Sequence, residues 1–167
     1  MPIATQTSEA CKLELAADLL RAGGEIRLQA LGTSMLPAIR PGDLLTIEGK
    51  SASQFVCGDI VLVARDNRFF IHRLIEQSNS RWFTRGDSLP QNDAPVASSQ
   101  VLGKVSVIHR PTGDVIPSRR LSRPARLLAW MLARSDALRR LMLRILQAPL
   151  SRTLATAGGI QALQEPQ

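Results

Sequence analysis

The chain has 167 residues, 44% of them apolar and 21% charged, ordinary usage for one globular domain, which excludes a disordered chain, a collagen-like repeat and a disulfide scaffold. The longest unbroken apolar run, Leu127 to Ala133, has seven residues against the ~20 that a spanning helix needs, so no transmembrane segment is expected. The net charge of +7 is unevenly spread: residues 1–118 hold 12 basic and 12 acidic side chains, while residues 119–167 hold nine arginines against Asp136 and Glu165. A charge-balanced body argues against a nucleic-acid-binding core, and a cationic end argues for an anionic partner.

The first twenty residues carry Glu9, Lys12, Glu14 and Asp18 where a secretory signal would be apolar, so a cytoplasmic protein is expected. Cys11 and Cys57 lack metal-ligand or CxxC spacing and are expected to be reduced, buried and structural. Apolar residues recur at Leu13, Ala16, Ala17, Leu19 and Leu20, and Gly23-Gly24 is a natural stop, which predicts a helix from Ser8 to Arg21. Glu25 to Leu31 alternates as a half-buried strand, and a loop with Gly32, Ser34 and Pro37 follows. Strands are then predicted over 44–47, 60–64, 68–75, 81–84 and 101–109, with a last one after the turn Pro111-Thr112-Gly113-Asp114. Asp66-Asn67 is a hairpin turn. Some seven short strands predict a mainly β (α+β) fold, a coiled antiparallel barrel-like sheet with an N-terminal helix and C-terminal helices. The expected organisation is a helix over 1–24, a β domain over 25–118, an Arg-rich amphipathic helical segment over 119–150 and a flexible tail over 151–167.

Ser34 lies in Gly32-Thr33-Ser34-Met35-Leu36-Pro37, directly after a predicted strand. Alone, this hexapeptide could be a loop with a capping serine. Further along stand Gly58-Asp59-Ile60-Val61, His72-Arg73-Leu74-Ile75, Thr84-Arg85-Gly86-Asp87 and Gly103-Lys104-Val105, each at a predicted strand. In this order they resemble the signal peptidase I family and its relatives among the self-cleaving repressors, serine peptidases with a coiled β fold, over about residues 26–110.

The resemblance implies that Ser34 is the nucleophile. It also implies a base that is lysine in one branch and histidine in the archaeal and endoplasmic-reticulum branch. The base position holds His72, and none of the three lysines, Lys12, Lys50 and Lys104, falls there. In the histidine branch a Gly-Asp is followed by a second aspartate six residues on, as Asp87 and Asp93 are here. Asp93 is favoured as the carboxylate that orients His72, and Asp87 as an organiser of its loop through backbone hydrogen bonds, although either could take the catalytic role. Gly32, Thr33 and Met35 would line the oxyanion and substrate groove.

One departure is Gly32, which stands where many signal peptidases carry a serine or threonine that helps bind the oxyanion. The absent membrane anchor is another. Gly42-Asp43 and Gly58-Asp59 are read as turn chemistry; His109, in a second Ile-His-Arg, is a rival base, but a Pro-Thr-Gly turn follows it and the aspartate spacing of the motif does not accompany it, so it is read as a surface strand residue.

The resemblance implies a serine endopeptidase of signal peptidase I type acting on a precursor or leader peptide by a Ser-His-Asp mechanism, with no metal or cofactor. The alternative is a weak or inactive peptide- or membrane-binding module on the same fold. A self-cleaving regulator is a further reading, against which stand the missing helix-turn-helix and base lysine. The Arg-rich segment from Pro124 to about Gln147, with a bend expected at Ser135-Asp136, either docks its apolar face on the domain or lies on an anionic membrane in place of an anchor. Nucleic acid is not expected to bind it, because Trp130 is its single aromatic residue.

Overall fold

A computed structural model of the chain describes residues 3–79, 81–135, 138 and 140–143. The chain divides into two compact units, Met1–Arg134 and Ser135–Gln167. In the second, residues 138 and 140–143 are helical. The predicted tail over 151–167 and the helix beyond residue 143 lie outside the described residues.

The first unit is an antiparallel sheet of six strands: β1 (Glu25–Gln29), β2 (Leu44–Gly49), β3 (Ile60–Arg65), β4 (Arg68–Gln77), β5 (Trp82–Arg85) and β6 (Val101–His109). Their spatial order is β1-β2-β6-β3-β4-β5. A helix α1 (Ile3–Arg21) precedes the sheet and α2 (Arg123–Arg134) follows it. Register shifts interrupt the β2/β6, β3/β6 and β4/β5 pairings, and such bulges increase local bending and twist. The sheet is not closed: among the described residues β1 and β5 are its edges and do not pair with each other.

The period-2 alternation of the sequence serves two cores. On β3, Ile60 and Leu62 face one cluster with Leu45, Ile47, Leu102, Val105 and Ile108, while Val61 and Val63 face another with Phe55, Leu74, Trp82, Val96 and Val101. Helix α1 adds Ala17 and Leu20 to the first cluster, and Met35 and Ile39 enter it from the loop after β1. Each fully buried Leu or Ile contributes about 1.5–3 kcal/mol. The helix end sits so close to β2 that a Cβ at Gly49 would collide with the Leu20 carbonyl.

Asp66 and Asn67 both adopt positive φ, 52° and 57°, as a two-residue hairpin turn with right-handed strand twist requires. The seventh strand expected after Asp114 is reduced to one bridge, Val115 to Ile108. Pro117 follows two residues later and has no N–H with which to continue a ladder. The expected burial of the cysteines is also overturned: Cys11 on α1 and Cys57 in the turn before β3 are free and exposed. Helix α2 opens with the Arg126 N–H donating to the Ser122 carbonyl at 2.9 Å, and Pro124 sits in its first turn, where no N–H is needed.

Candidate active site

The loop between β1 and β2 carries Ser34 and is clamped at both ends. At its base the Ala30 N–H donates to the Asp43 carbonyl at 2.8 Å and the Gly42 N–H to the Ala30 carbonyl at 2.7 Å. Asp43, 6% exposed, accepts from the Arg40 N–H and from the Arg110 guanidinium. Arg110 also donates to the Ala38 carbonyl at 2.7 Å, tying β6 across the loop. At the tip, Ser88 donates through its N–H to the Ser34 carbonyl at 2.9 Å. Its hydroxyl reaches the Thr33 and Ser34 carbonyls at 2.9 and 3.0 Å.

Holding the Thr33 carbonyl fixes the plane of the 33–34 peptide and so aims the Ser34 N–H the opposite way. That N–H donates to no acceptor among the described residues. It is free to serve as an oxyanion donor. The Gly32 position is exposed, and a Cβ there would meet nothing within 4 Å.

His72 stands on β4 opposite Val61 of β3 and is 8% exposed. Its Nε2 lies 3.0 Å from Ser34 Oγ and its Nδ1 2.6 Å from Asp93 Oδ2. The Phe70 ring packs edge-on against the imidazole at 5.3 Å between centroids. Asp93 is held by its own N–H on the Thr84 carbonyl at 2.8 Å, and the Thr84 hydroxyl donates to Oδ2 at 2.6 Å. Burial pushes the Asp93 carboxyl up, but the hydrogen bonds from His72 and Thr84 and the nearby charges of His72 and Arg65 bring it below the usual carboxylate value. An ionised carboxylate only accepts, so Nδ1 carries a proton toward Asp93, and a ring protonated on Nδ1 alone can accept from the serine hydroxyl at Nε2.

Asp87 is elsewhere. Its two oxygens each accept from Arg73 at 2.7 Å, with the side chains 8% and 4% exposed. The remaining Arg73 nitrogen donates to the Gly58 and Ser118 carbonyls at 2.8 and 2.9 Å. The expectation that Asp87 organises its loop through backbone hydrogen bonds is therefore corrected: a bidentate guanidinium does it. Neighbours on β4 thus pin the 86–93 loop twice, Arg73 through Asp87 and His72 through Asp93.

Lys104, Asp59 and Arg119 are engaged in holding the fold. Lys104 pairs with Asp59 at 2.9 Å, as does Arg119 at 2.8 Å. Burial raises the Asp59 carboxyl, but hydrogen bonds from Lys104, Arg119 and the Val56 N–H lower it further, below its ordinary value.

His109, the rival base, makes two side-chain contacts away from Ser34. Its Nδ1 lies 2.8 Å from Asp114 and its Nε2 2.9 Å from the Thr46 hydroxyl. Thr46, 5% exposed, sits inside the β2/β6 ladder opposite Val107. It has no turn to present the hydroxyl, and the arrangement ties the 110–115 turn to β2.

Thr84, Ser88 and Arg73 were not singled out as functional in the sequence. The available signal is the run Thr84-Arg85-Gly86-Asp87-Ser88, which carries Thr84 near the end of β5 and Ser88 inside the loop that follows.

A groove of about 580 Å³ opens beside Ser34 and His72, lined by Leu28, Ala30, Gly32 and Met35 on one side and Phe69 and Ile71 on the other. Met35 both enters the core and lines this groove. Among the described residues no group of three His, Cys, Asp or Glu side chains converges as a metal site.

A hydroxyl, an imidazole and a carboxylate in series on a β scaffold define a site of serine-peptidase type. The profile of the Peptidase S24-like family matches residues 1–106, a span that holds Ser34, His72, Asp87 and Asp93. The chain belongs to that family, within the superfamily of self-cleaving repressors and signal peptidases. No curated protein matches the chain. No helix among the described residues is long and apolar enough to cross a membrane.

Proposed function

We propose that the chain is a serine endopeptidase of signal peptidase I type with a histidine base, cleaving a precursor or leader peptide. The observation that carries this reading is the unbroken series from Ser34 Oγ through both nitrogens of His72 to Asp93 and Thr84.

In the proposed mechanism a peptide lies along the free edge of β1, whose last residue precedes Ser34 by five positions, as a strand added to a sheet edge. His72 Nε2 takes the hydroxyl proton as Ser34 Oγ bonds to the scissile carbonyl carbon. The Ser34 N–H donates to the oxyanion. Asp93 holds the ring and stabilises the imidazolium. As the C–N bond breaks, His72 returns the proton to the leaving amine. Water then enters with His72 again as base, and hydrolysis of the acyl ester frees Ser34. Small residues next to the cut are what the resemblance to signal peptidases implies, with Gly32 and Met35 lining the groove there.

The test is proteolysis of small-residue precursor peptides by wild type, Ser34→Ala and His72→Ala, read by mass spectrometry from about pH 5 to 9, the range in which imidazole loses its proton. Cleavage that rises with pH and vanishes in both variants is the expected result. Equal silence of all three on every peptide would favour the second reading, a peptide-binding module, which the missing hydroxyl at Gly32 supports.

A further inference from the structure

Residues 115–135 contain five arginines and no acidic residue. Helix α2 within them, about 18 Å long at 1.5 Å per residue, shows an unusual division of faces. Ala129 and Leu132 are 3% and 0% exposed and form its buried side. The opposite side is not simply polar: Leu127, Trp130 and Met131 are 58%, 54% and 37% exposed, interleaved with exposed Arg123, Arg126 and Arg134. The Arg134 guanidinium lies over the Trp130 ring at 4.7 Å.

This face borders a hollow of about 850 Å³ that Arg85, Arg120, Arg123 and Arg126 help to line. Two further lining arginines are neutralised, Arg73 by Asp87 and Arg119 by Asp59. The side chains of the first four have no acidic partner among the described residues. The segment that leads into α2 is fixed to the sheet by those two neutralised arginines, Arg73 donating to the Ser118 carbonyl and Arg119 to Asp59.

We propose that the exposed face of α2 and the arginine-lined hollow beside it dock the chain on the surface of a bilayer that contains anionic phospholipid. Water rewards exposed guanidinium groups but not exposed Leu, Trp and Met on the same face. The boundary between headgroups and acyl chains rewards both, with tryptophan at headgroup depth and arginine on phosphate. A nucleic acid would leave the aliphatic residues in water and would find one aromatic ring to stack on. The interaction is independent of the peptidase reading, because none of these residues belongs to the Ser34–His72–Asp93 series.

The experiment uses the full chain with vesicles of phosphatidylcholine alone or with about one third phosphatidylglycerol, followed by sedimentation and tryptophan emission. The two tryptophans separate the signal: Trp82 is 6% exposed in the core, so a blue shift on binding comes from Trp130. The expected result is binding to the anionic vesicles with a blue shift that Trp130→Phe abolishes. Charge reversal at three exposed positions, Arg120→Glu, Arg123→Glu and Arg126→Glu, should weaken binding at least about a hundredfold, each basic residue near an anionic surface contributing severalfold. Equal binding to neutral vesicles, no binding, or binding without a Trp130 shift would overturn the proposal. So would an undiminished triple variant. Tighter binding of an acidic peptide or nucleic acid than of the vesicles would also overturn it.

Discussion

Gly86 touches Ser34: a Cβ built at Gly86 would lie 2.7 Å from the Ser34 carbonyl oxygen and 2.9 Å from Ser34 Cβ. The loop that carries Asp87, Ser88 and Asp93 therefore packs backbone to backbone on the nucleophile turn. No side chain fits between them, and the oxygen that a Cβ would displace is the one Ser88 holds.

Gly86→Ala should cut cleavage by at least about a hundredfold, the cost of roughly 1 Å of misplacement at a reacting atom. Overpacking should cost about 1–3 kcal/mol of stability. Peptide turnover alongside thermal unfolding checks this, and full activity in a destabilised variant would sink it.

Gly32→Ser should raise activity. The site is open, with nothing within 4 Å of a Cβ, and a second oxyanion donor can be worth up to about 3 kcal/mol. A gain in kcat of about tenfold or more is expected, with KM little changed. An unaltered kcat would mean that the hydroxyl does not reach the oxyanion from this turn.

Asp93→Asn should lower kcat by about four orders of magnitude, since an amide can donate to the ring and stabilise the wrong tautomer. Thr84→Val is milder: it removes one hydrogen bond to a charged, part-buried acceptor, worth about 1.5–3 kcal/mol, so a loss of about tenfold or more is expected, with Thr84→Ser restoring it. Steady-state kinetics on the four proteins gives the comparison.

The carboxyls of Asp59 and Asp93 both sit below their ordinary values in the folded chain. The unfolded chain therefore takes up protons first on acidification. The stability they contribute is fully present above the unfolded carboxylate value and is lost as pH falls through the folded ones. The unfolding midpoint should be nearly flat from about pH 7 to 5 and drop below about pH 4. Asp59→Asn should cost about 1–2 kcal/mol at neutral pH, discounted because Lys104 and Arg119 keep access to water, and should make the acid limb shallower. Unfolding curves from pH 2 to 7 test the sign.

Much of the sheet was legible because its information is local. Alternation in β1 and β6 and turn signals between the others placed β1 through β6 within a few residues of their observed ends, and Asp66-Asn67 supplied the two positive-φ residues that its hairpin needs. The seventh strand failed for a reason that local pattern cannot show. Val115 and Ile116 have the composition of a strand, but Val115 alone bridges to Ile108, and Ile116 is left 82% exposed. Met35, read as lining a groove, lines one beside Ser34 and also enters the core.

The site divides along the same line. Residue order alone says which chemical groups exist and on which elements they sit: a serine in a turn after β1, a histidine within β4, two aspartates in the loop after β5, and a cationic face on α2. Tertiary structure decided the partnerships. Ser34 and His72 are 38 residues apart, and His72 and Asp93 are 21 apart. Their meeting depends on the register of β4 between β3 and β5 and on Ser88 holding the Ser34 carbonyl. It also decided that Asp87 belongs to Arg73, that Lys104 belongs to Asp59, and that His109 belongs to Asp114. Spacing along a chain fixes direction only within one helix or strand; which charge meets which across the fold is set by strand register and loop packing, and by the cost of burying any charge that is left without a partner.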